Sequence, residues 1–509
     1  MSSLTPRAAV IRVASNAASL LTTDVLNKAT TFVVYALTAR YLGPQAFGQL
    51  SLGLLLVYVF QVLAGVGLPN LLTREIARRG ARAPRLVTSG LVVAGGTSLL
   101  AMGAMLATPA IMFYDSQTTW VICILACGLF PNAAAGVLEA SFRGRQQMHL
   151  IAISNVLANS LKVAGAVWML HHGFGTLWLA GWLVVIRVVV AVVDLGLYLA
   201  WSGQRLAGWD RRHGWRLVRC SATFLGIDAA IAGWSAVDAL LLSKFMGELE
   251  VGLYCAATQL LQPAALVYLS IVGSIFPAMC QRFRQGAQPL FKLTRWMVAF
   301  LLMLGLPAVV LMIAFADVIL VTAYADPQFL NSVPVMRIAA LALIAQCFTT
   351  ILGHALWAAN REGLTLRIVV TNLLANIIIS SLTISVWGLV GAATGTLLVS
   401  LLNVLQHYLA FYRVTGRQAV DAQIMAPLLA AIAMAAVMFA CPTWVTAAAW
   451  DMLPGIGQWS LQQLLAVPQR GLLAMLGLVA YAGVLLSLVS LAYGGPRQLR
   501  RSFFAPLVS

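Results

Sequence analysis

Apolar residues run in long blocks along this chain, broken by short polar stretches, and a block of about 20 residues is a helix long enough to cross roughly 30 Å of hydrocarbon. About fourteen such spans are predicted: residues 18–41, 46–69, 86–109, 118–141, 150–170, 177–201, 220–245, 252–277, 296–317, 335–358, 366–386, 390–412, 425–448 and 471–493. The blocks are continuously apolar and rich in Leu, Ala and Val, whereas the strands of a membrane barrel would alternate over ~10 residues. Lipid offers the backbone no hydrogen-bond partner, so helices are the remaining way across. The expected class is an all-α polytopic membrane protein.

Composition agrees and narrows the class. Hydrophobic residues make up 61% of the 509 positions and charged residues 9%, far from the roughly one-quarter charged balance of soluble domains. The formal net charge of +17 would suggest nucleic acid in a soluble chain, but position says otherwise. With the N-terminus inside, 25 of the 32 basic residues fall on the inner side. That is the asymmetry of the positive-inside rule, and it predicts two cytoplasmic termini. The charge then reports topology and contact with anionic lipid, and nucleic acid is not an expected partner. Trp120, Trp178, Trp201, Trp296, Trp387 and Trp450 fall at predicted span ends, where an amphipathic ring suits the headgroup layer. Residues 1–17 hold no apolar core for a cleavable signal, so the first span is expected to direct insertion. The seven cysteines lie in spans or at their inner ends, which argues against a disulfide framework. Cys123 and Cys127 share a helix face but have no further ligand nearby, so no metal is expected.

Comparison of the chain with itself finds a repeat. Arg40-Tyr41-Leu42-Gly43, followed by Phe47-Gly48, lies 204 residues before Lys244-Phe245-Met246-Gly247, followed by Val251-Gly252. Ser154-Asn155-Val156-Leu157-Ala158-Asn159 matches Thr371-Asn372-Leu373-Leu374-Ala375-Asn376 at an offset of 217. The repeat unit is therefore six spans, an even number, which makes the copies parallel. The expected organisation is a six-helix lobe over 1–219, a second over 220–424, and two accessory helices with a tail over 425–509. Parallel lobes around a midplane site are the usual build of an alternating-access transporter. Pro131, Pro263 and Pro307 are candidate bends for such rocking, or ordinary membrane prolines.

An ionisable side chain inside the bilayer costs at least ~2.5–3.5 kcal/mol and should face a cavity or a partner. Asp24 and Lys28, four apart, either neutralise each other or line one wall. Asn155, Asn159 and Lys162 form a polar stripe at i, i+4, i+7, which is either an interhelical hydrogen-bond seam or a cavity wall. Arg187 and Asp194, seven apart, share a face and could pair. Lys28, Lys162 and Arg187 are the expected cations of a substrate cavity, with Asn155 and Asn159 beside them, and cations in such a place suit an anionic cargo. Asp24, Asp228 and Asp238 are candidates for coupling to a proton or sodium gradient. No cofactor or metal is expected.

The segments ARYLGPQAFGQLSLGLLL and KFMGELEVGLYCAATQLLQP, with the fourteen-span plan, resemble the Wzx-type polysaccharide flippases of the multidrug/oligosaccharidyl-lipid/polysaccharide exporter superfamily. The resemblance covers nearly the whole chain. It implies two six-helix lobes plus two helices, an undecaprenyl-diphosphate-linked oligosaccharide repeat unit as cargo, and a switch from inward to outward in the bacterial cytoplasmic membrane. A polysaccharide polymerase and export machinery are candidate partners. A drug or cation antiporter of the same superfamily should carry an acidic lumen instead, whereas a peptidoglycan-precursor flippase stays open. A membrane-embedded glycosyl polymerase would need acid/base groups at the outer surface, and the longest outer loop, residues 449–470, has no His, Glu or Cys. The expectation is a transporter and not an enzyme.

Overall fold

The computed structural model describes residues 6–78, 83–201, 208, 211–416, 422–440 and 475–488. Among them every regular element is helical. In chain order the helices are α1 (Pro6–Gly65), α2 (Leu68–Arg78), α3 (Ala83–Met112), α4 (Ser116–Ala126), α5 (Leu129–Gly144), α6 (Met148–His171), α7 (Thr176–Trp201) and α8 (Arg211–Phe245). They continue as α9 (Glu248–Arg284), α10 (Ala287–Ala314), α11 (Ala316–Tyr324), α12 (Val333–Ala358), α13 (Glu362–Thr415), α14 (Ala422–Ala440) and α15 (Met475–Leu488). Among the described residues nine helices are long and apolar enough to cross a membrane, and shorter apolar helices follow at Ala426–Ala436 and Met475–Leu488. The chain is a multi-pass membrane protein.

Two of the long helices are reversals. α1 breaks at Gly43, with φ 77° and ψ 177°, and the Tyr35 and Phe47 rings then meet at 5.7 Å. Twelve residues of straight helix would separate them by about 18 Å, so the chain turns back there. α13 breaks at Gly388, with φ 54° and ψ −128°. A Cβ on Gly391 would strike the Thr383 carbonyl, eight residues earlier and about 12 Å away in a straight helix. The predicted spans 18–41 and 46–69, and 366–386 and 390–412, are thus helical hairpins closed by one glycine each. The Gly388 conformation is nearly reserved for glycine, so Gly388→Ala should destabilise by about 1–3 kcal/mol. Thermal unfolding in detergent measures this, and an unchanged midpoint would contradict it.

The prolines behave differently from the glycines. α9 runs on through Pro263 and Pro277, and α10 through Pro307. The predicted span 118–141 is interrupted at Cys127–Gly128, between α4 and α5. Pro131 sits in the first turn of α5, where a missing N–H leaves no helical bond unmade. Residues 68–78 form the amphipathic α2, with Leu68, Leu71, Leu72 and Ile76 buried on one face. Trp296 is not an interfacial anchor, being 5% exposed and stacked on Phe300 inside α10. Trp201 (side chain), Trp450 and the 449–470 loop lie outside the described residues.

The chain divides into two compact units. One comprises Met1–Ala256, Val321–Asn331 and Asn376–Ala392; the other comprises Ala257–Leu320, Ser332–Ala375 and Ala393–Ser509. In the first, α1 packs on α3, α6 and α8, and α5 packs on α2, α3 and α7. Its core contains Leu50, Leu72, Val87, Leu129 and Phe142. In the second, α10 packs on α12 and α14, and the Tyr481 hydroxyl on α15 donates to the Met303 carbonyl at 2.8 Å.

The first unit also contains the meeting point of the two matched turns. Gly43 and Gly247 both adopt positive φ, 77° and 99°. Just beyond them, a Cβ on Gly48 would strike the carbonyl of Glu248, and one on Gly252 would strike the carbonyl of Pro44. Residues 44 and 248 are themselves repeat partners at the offset of 204, so the contact is reciprocal. Backbone meets backbone there as it does across a local two-fold.

Candidate functional site

Within the first unit, four helices surround a cavity of about 270 Å³. α1 supplies Asn27, Thr31, Val34 and Tyr35 from the arm before Gly43, and Leu54, Val57, Tyr58 and Gln61 from the arm after it. α6 supplies Asn155, Ala158, Asn159 and Lys162; α7 supplies Leu183, Val184, Ile186, Arg187 and Val190. Each set repeats at three or four residues, which is one face of a helix. Leu125 and Gly128 close the wall at the break between α4 and α5. A Cβ on Gly128 would lie 3.9 Å from Arg187 Cγ, so the glycine leaves room for the arginine stem.

The packing of α6 on α7 brings the two cations together. The Trp182 indole lies flat against Gly165, where any Cβ would overlap it. Gly165 is one turn beyond Lys162, and Trp182 is little more than one turn before Arg187, so this contact sets the register of the two basic side chains. They are close enough to repel each other electrostatically.

Lys162 Nζ donates to Thr31 Oγ1 at 3.0 Å and to Asn27 Oδ1 at 3.4 Å. Those partners are neutral. Lys162 forms no ion pair among the described residues, so its charge is solvated by dipoles and not cancelled. Asn159 is 3% exposed; its Oδ1 accepts from Thr30 Oγ1 at 2.8 Å, and its Nδ2 has no hydrogen-bond partner among the described residues. The stripe on α6 is therefore both a seam to α1 and a cavity wall. Asn155 Nδ2 donates to the Ile151 carbonyl at 3.0 Å.

Lys162, Arg187, Asn155 and Asn159 thus share one cavity. Lys28 does not belong to it. It is exposed on α1 and turned away from the face of Asn27 and Thr31, because one residue along a helix is a rotation of 100°. The side chain of Asp24 lies outside the described residues. Asp228 is half-buried on α8 within electrostatic range of Tyr58 and is not among the residues that line the cavity. Asp238 is buried and accepts from Ser380 Oγ at 2.7 Å and from the Tyr254 hydroxyl at 3.4 Å; Ser380 also bonds to Asn376 Oδ1 at 2.9 Å.

Arg187 and Asp194 do not form an ion pair. Seven residues bring them to one face but separate them by about 10 Å along the axis. The acid within electrostatic range of Arg187 is Glu139 on α5, which sequence reasoning missed. Its only signal was a lone acid one turn before Arg143, which reads as a helix-end pair. Tyr35, Tyr58 and Gln61 were missed as well, since apolar neighbours hide them.

The polysaccharide biosynthesis protein family model matches residues 13–283. The lipid II flippase MurJ family model matches residues 217–456. A curated relative, the probable low-salt glycan biosynthesis flippase Agl15 of Haloferax volcanii, is 23% identical over 402 residues, covering 77% of this chain and 82% of its own. Among solved structures, lipid II flippase MurJ in an inward closed conformation superposes with a TM-score of 0.70 at 11% identity, over 94% of this chain and 98% of its own. An inward-facing multidrug resistance MATE family transporter gives 0.60 at 14% identity, over 77% and 96%. These two likenesses describe the fold.

Proposed function

The chain belongs to the polysaccharide biosynthesis protein family and is a flippase of the multidrug/oligosaccharidyl-lipid/polysaccharide exporter superfamily; from that premise we propose that its cargo is a diphosphate-linked lipid oligosaccharide moved from the cytoplasmic to the periplasmic leaflet. The observation that carries this reading is the cavity shared by Lys162, Arg187, Asn155 and Asn159. A diphosphate stripped of water in hydrocarbon is very unfavourable without counter-charge. Lys162 offers a compact ammonium and Arg187 a planar fork, and both bind phosphate oxygens through charge-assisted hydrogen bonds. The free Nδ2 of Asn159 adds a neutral donor.

In this reading the 1–219 and 220–424 lobes alternate between inward-open and outward-open states in the bacterial cytoplasmic membrane, and both termini stay cytoplasmic. Asp24, Asp228 and Asp238 are the proposed sites of coupling to a proton or sodium gradient. Lipid surrounds the protein, and a polymerase takes up the delivered repeat unit.

Deletion of the gene tests the cargo and the direction together. Lipid-linked repeat units should accumulate on the inner leaflet, read by leaflet-selective labelling of extracted lipid, while surface polymer is lost. Normal surface polymer in the deletion strain would discard the reading. The match of the lipid II flippase family model to residues 217–456 favours one further reading, carriage of a peptidoglycan precursor through the same diphosphate chemistry. Rescue of growth in cells depleted of their own lipid II flippase would select it.

A further inference from the structure

The cavity wall is of two kinds, and the cargo reading uses the cationic one. Tyr58 and Gln61, about one turn apart on the second arm of α1, line the same cavity and are neutral. Gln61 is 18 residues after the Gly43 reversal, and Thr31, which accepts from Lys162, is 12 before it. At 1.5 Å per residue Gln61 lies about 9 Å farther along the hairpin than Thr31, the scale of a phosphate with one pyranose attached. A second path gives a similar placement. Gln61 Oε1 accepts from Asn132 Nδ2 at 3.2 Å, and Asn132 is one turn along α5 from Gly128, beside which the Arg187 stem lies.

The bonding of the pair describes the ligand it suits. The bond from Asn132 fixes the Gln61 amide by its oxygen and leaves the two N–H donors that such an amide carries. Among the described residues neither Gln61 Nε2 nor the Tyr58 hydroxyl donates a hydrogen bond. Tyr58 is 39% exposed, so its ring is open to a ligand. A seam between α1 and α5 has no use for these spare donors, and an anion is held better by the cations nearby, through charge-assisted bonds. A neutral ring with hydroxyl groups on its rim and C–H groups on its faces fits both side chains. The amide bonds the hydroxyl oxygens, and the tyrosine offers an apolar face with a polar tip.

We propose that Tyr58 and Gln61 form a sugar subsite that holds the pyranose bonded to the diphosphate and selects cargo by it, with Asn132 as the residue that positions the Gln61 amide. The subsite rests on the diphosphate reading above. A site built to bond a hydroxyl discriminates against a ligand that lacks it, because its own donors are then left without partners. The cations thus supply affinity common to every diphosphate lipid, and the neutral pair supplies the choice among them.

Equilibrium titration of the full chain in lipid nanodiscs, with undecaprenyl diphosphate and with the sugar-bearing lipid extracted from the deletion strain, tests this. Wild type should bind the sugar-bearing lipid about 10-fold more tightly, the worth of one or two neutral hydrogen bonds. Gln61→Leu and Tyr58→Leu should each bring that ratio close to one, and Asn132→Leu should lower it part of the way. Arg187→Ala should weaken the binding of both lipids and keep the ratio. Tyr58→Leu decides the matter should Gln61→Leu fail to fold, since it takes no acceptor from Asn132. A wild-type ratio near one, or a 10-fold ratio kept by Tyr58→Leu and by whichever other variant folds, overturns the subsite alone, provided that undecaprenyl diphosphate still needs Arg187. Undecaprenyl diphosphate that does not bind, or binds wild type and Arg187→Ala alike, overturns it together with the cargo reading, as does a deletion strain with no sugar-bearing lipid to extract.

Discussion

Lys162→Ala is expected to cut cargo flipping by about 10- to 100-fold, the worth of one or two charge-assisted hydrogen bonds at about 1.5–3 kcal/mol. Membrane levels should stay near wild type, because the partners Lys162 leaves behind are the Thr31 hydroxyl and the Asn27 amide. Thr31 still donates to the Asn27 carbonyl at 2.7 Å, so no buried charge is stranded. Lys162→Arg should recover part of the rate, since the charge is kept but its reach and geometry change. Surface polymer yield against protein level, measured in a deletion strain carrying each variant, separates transport from folding. Full export by Lys162→Ala would remove this residue from the site.

The second large effect is expected at the crossing of the two matched turns. Gly48→Ala and Gly252→Ala each push a methyl group into a backbone carbonyl of the facing helix, where no flexible side chain can yield. The upper end of the overpacking range, about 3 kcal/mol, is expected for either. Because both methyl groups force open the same contact, the double variant should cost clearly less than the sum of the two. Gly181→Ala on α7 is the control: a Cβ there meets nothing within 4 Å, and the helix gains propensity. Thermal unfolding of wild type and the four variants in one detergent reads all of these values. Wild-type midpoints for Gly48→Ala and Gly252→Ala would show that the crossing is looser than its geometry states.

Most of the spans were legible because hydrocarbon demands long apolar helices and the sequence supplies them. The stripe of Asn155, Asn159 and Lys162 was legible for a related reason: polar side chains at helical spacing stand out against Leu, Ala and Val. The spacing left their use open, and the structure uses the stripe twice, bonding Asn159 to Thr30 and facing Lys162 into the cavity. Lys28 and Asn27 differ by one position along α1, and only the rotation of that helix against α6 made Asn27 the lining residue. Glu139 reads as half of a local pair with Arg143 and forms that pair, while no spacing rule would bring it within electrostatic range of Arg187 on another helix.

The apolar pattern by itself determined that this chain is a helical membrane protein and roughly where it crosses, while two matched motifs pointed to a repeat. Tertiary structure decided which helix faces meet, where the chain reverses at Gly43 and Gly388, and which charges share a cavity. The physical reason is that lipid-facing and protein-facing surfaces are equally apolar in a membrane. Hydrophobicity therefore marks the crossing but not the packing partner, which close backbone contacts such as Gly48 on Gly252 and Gly165 under Trp182 select instead.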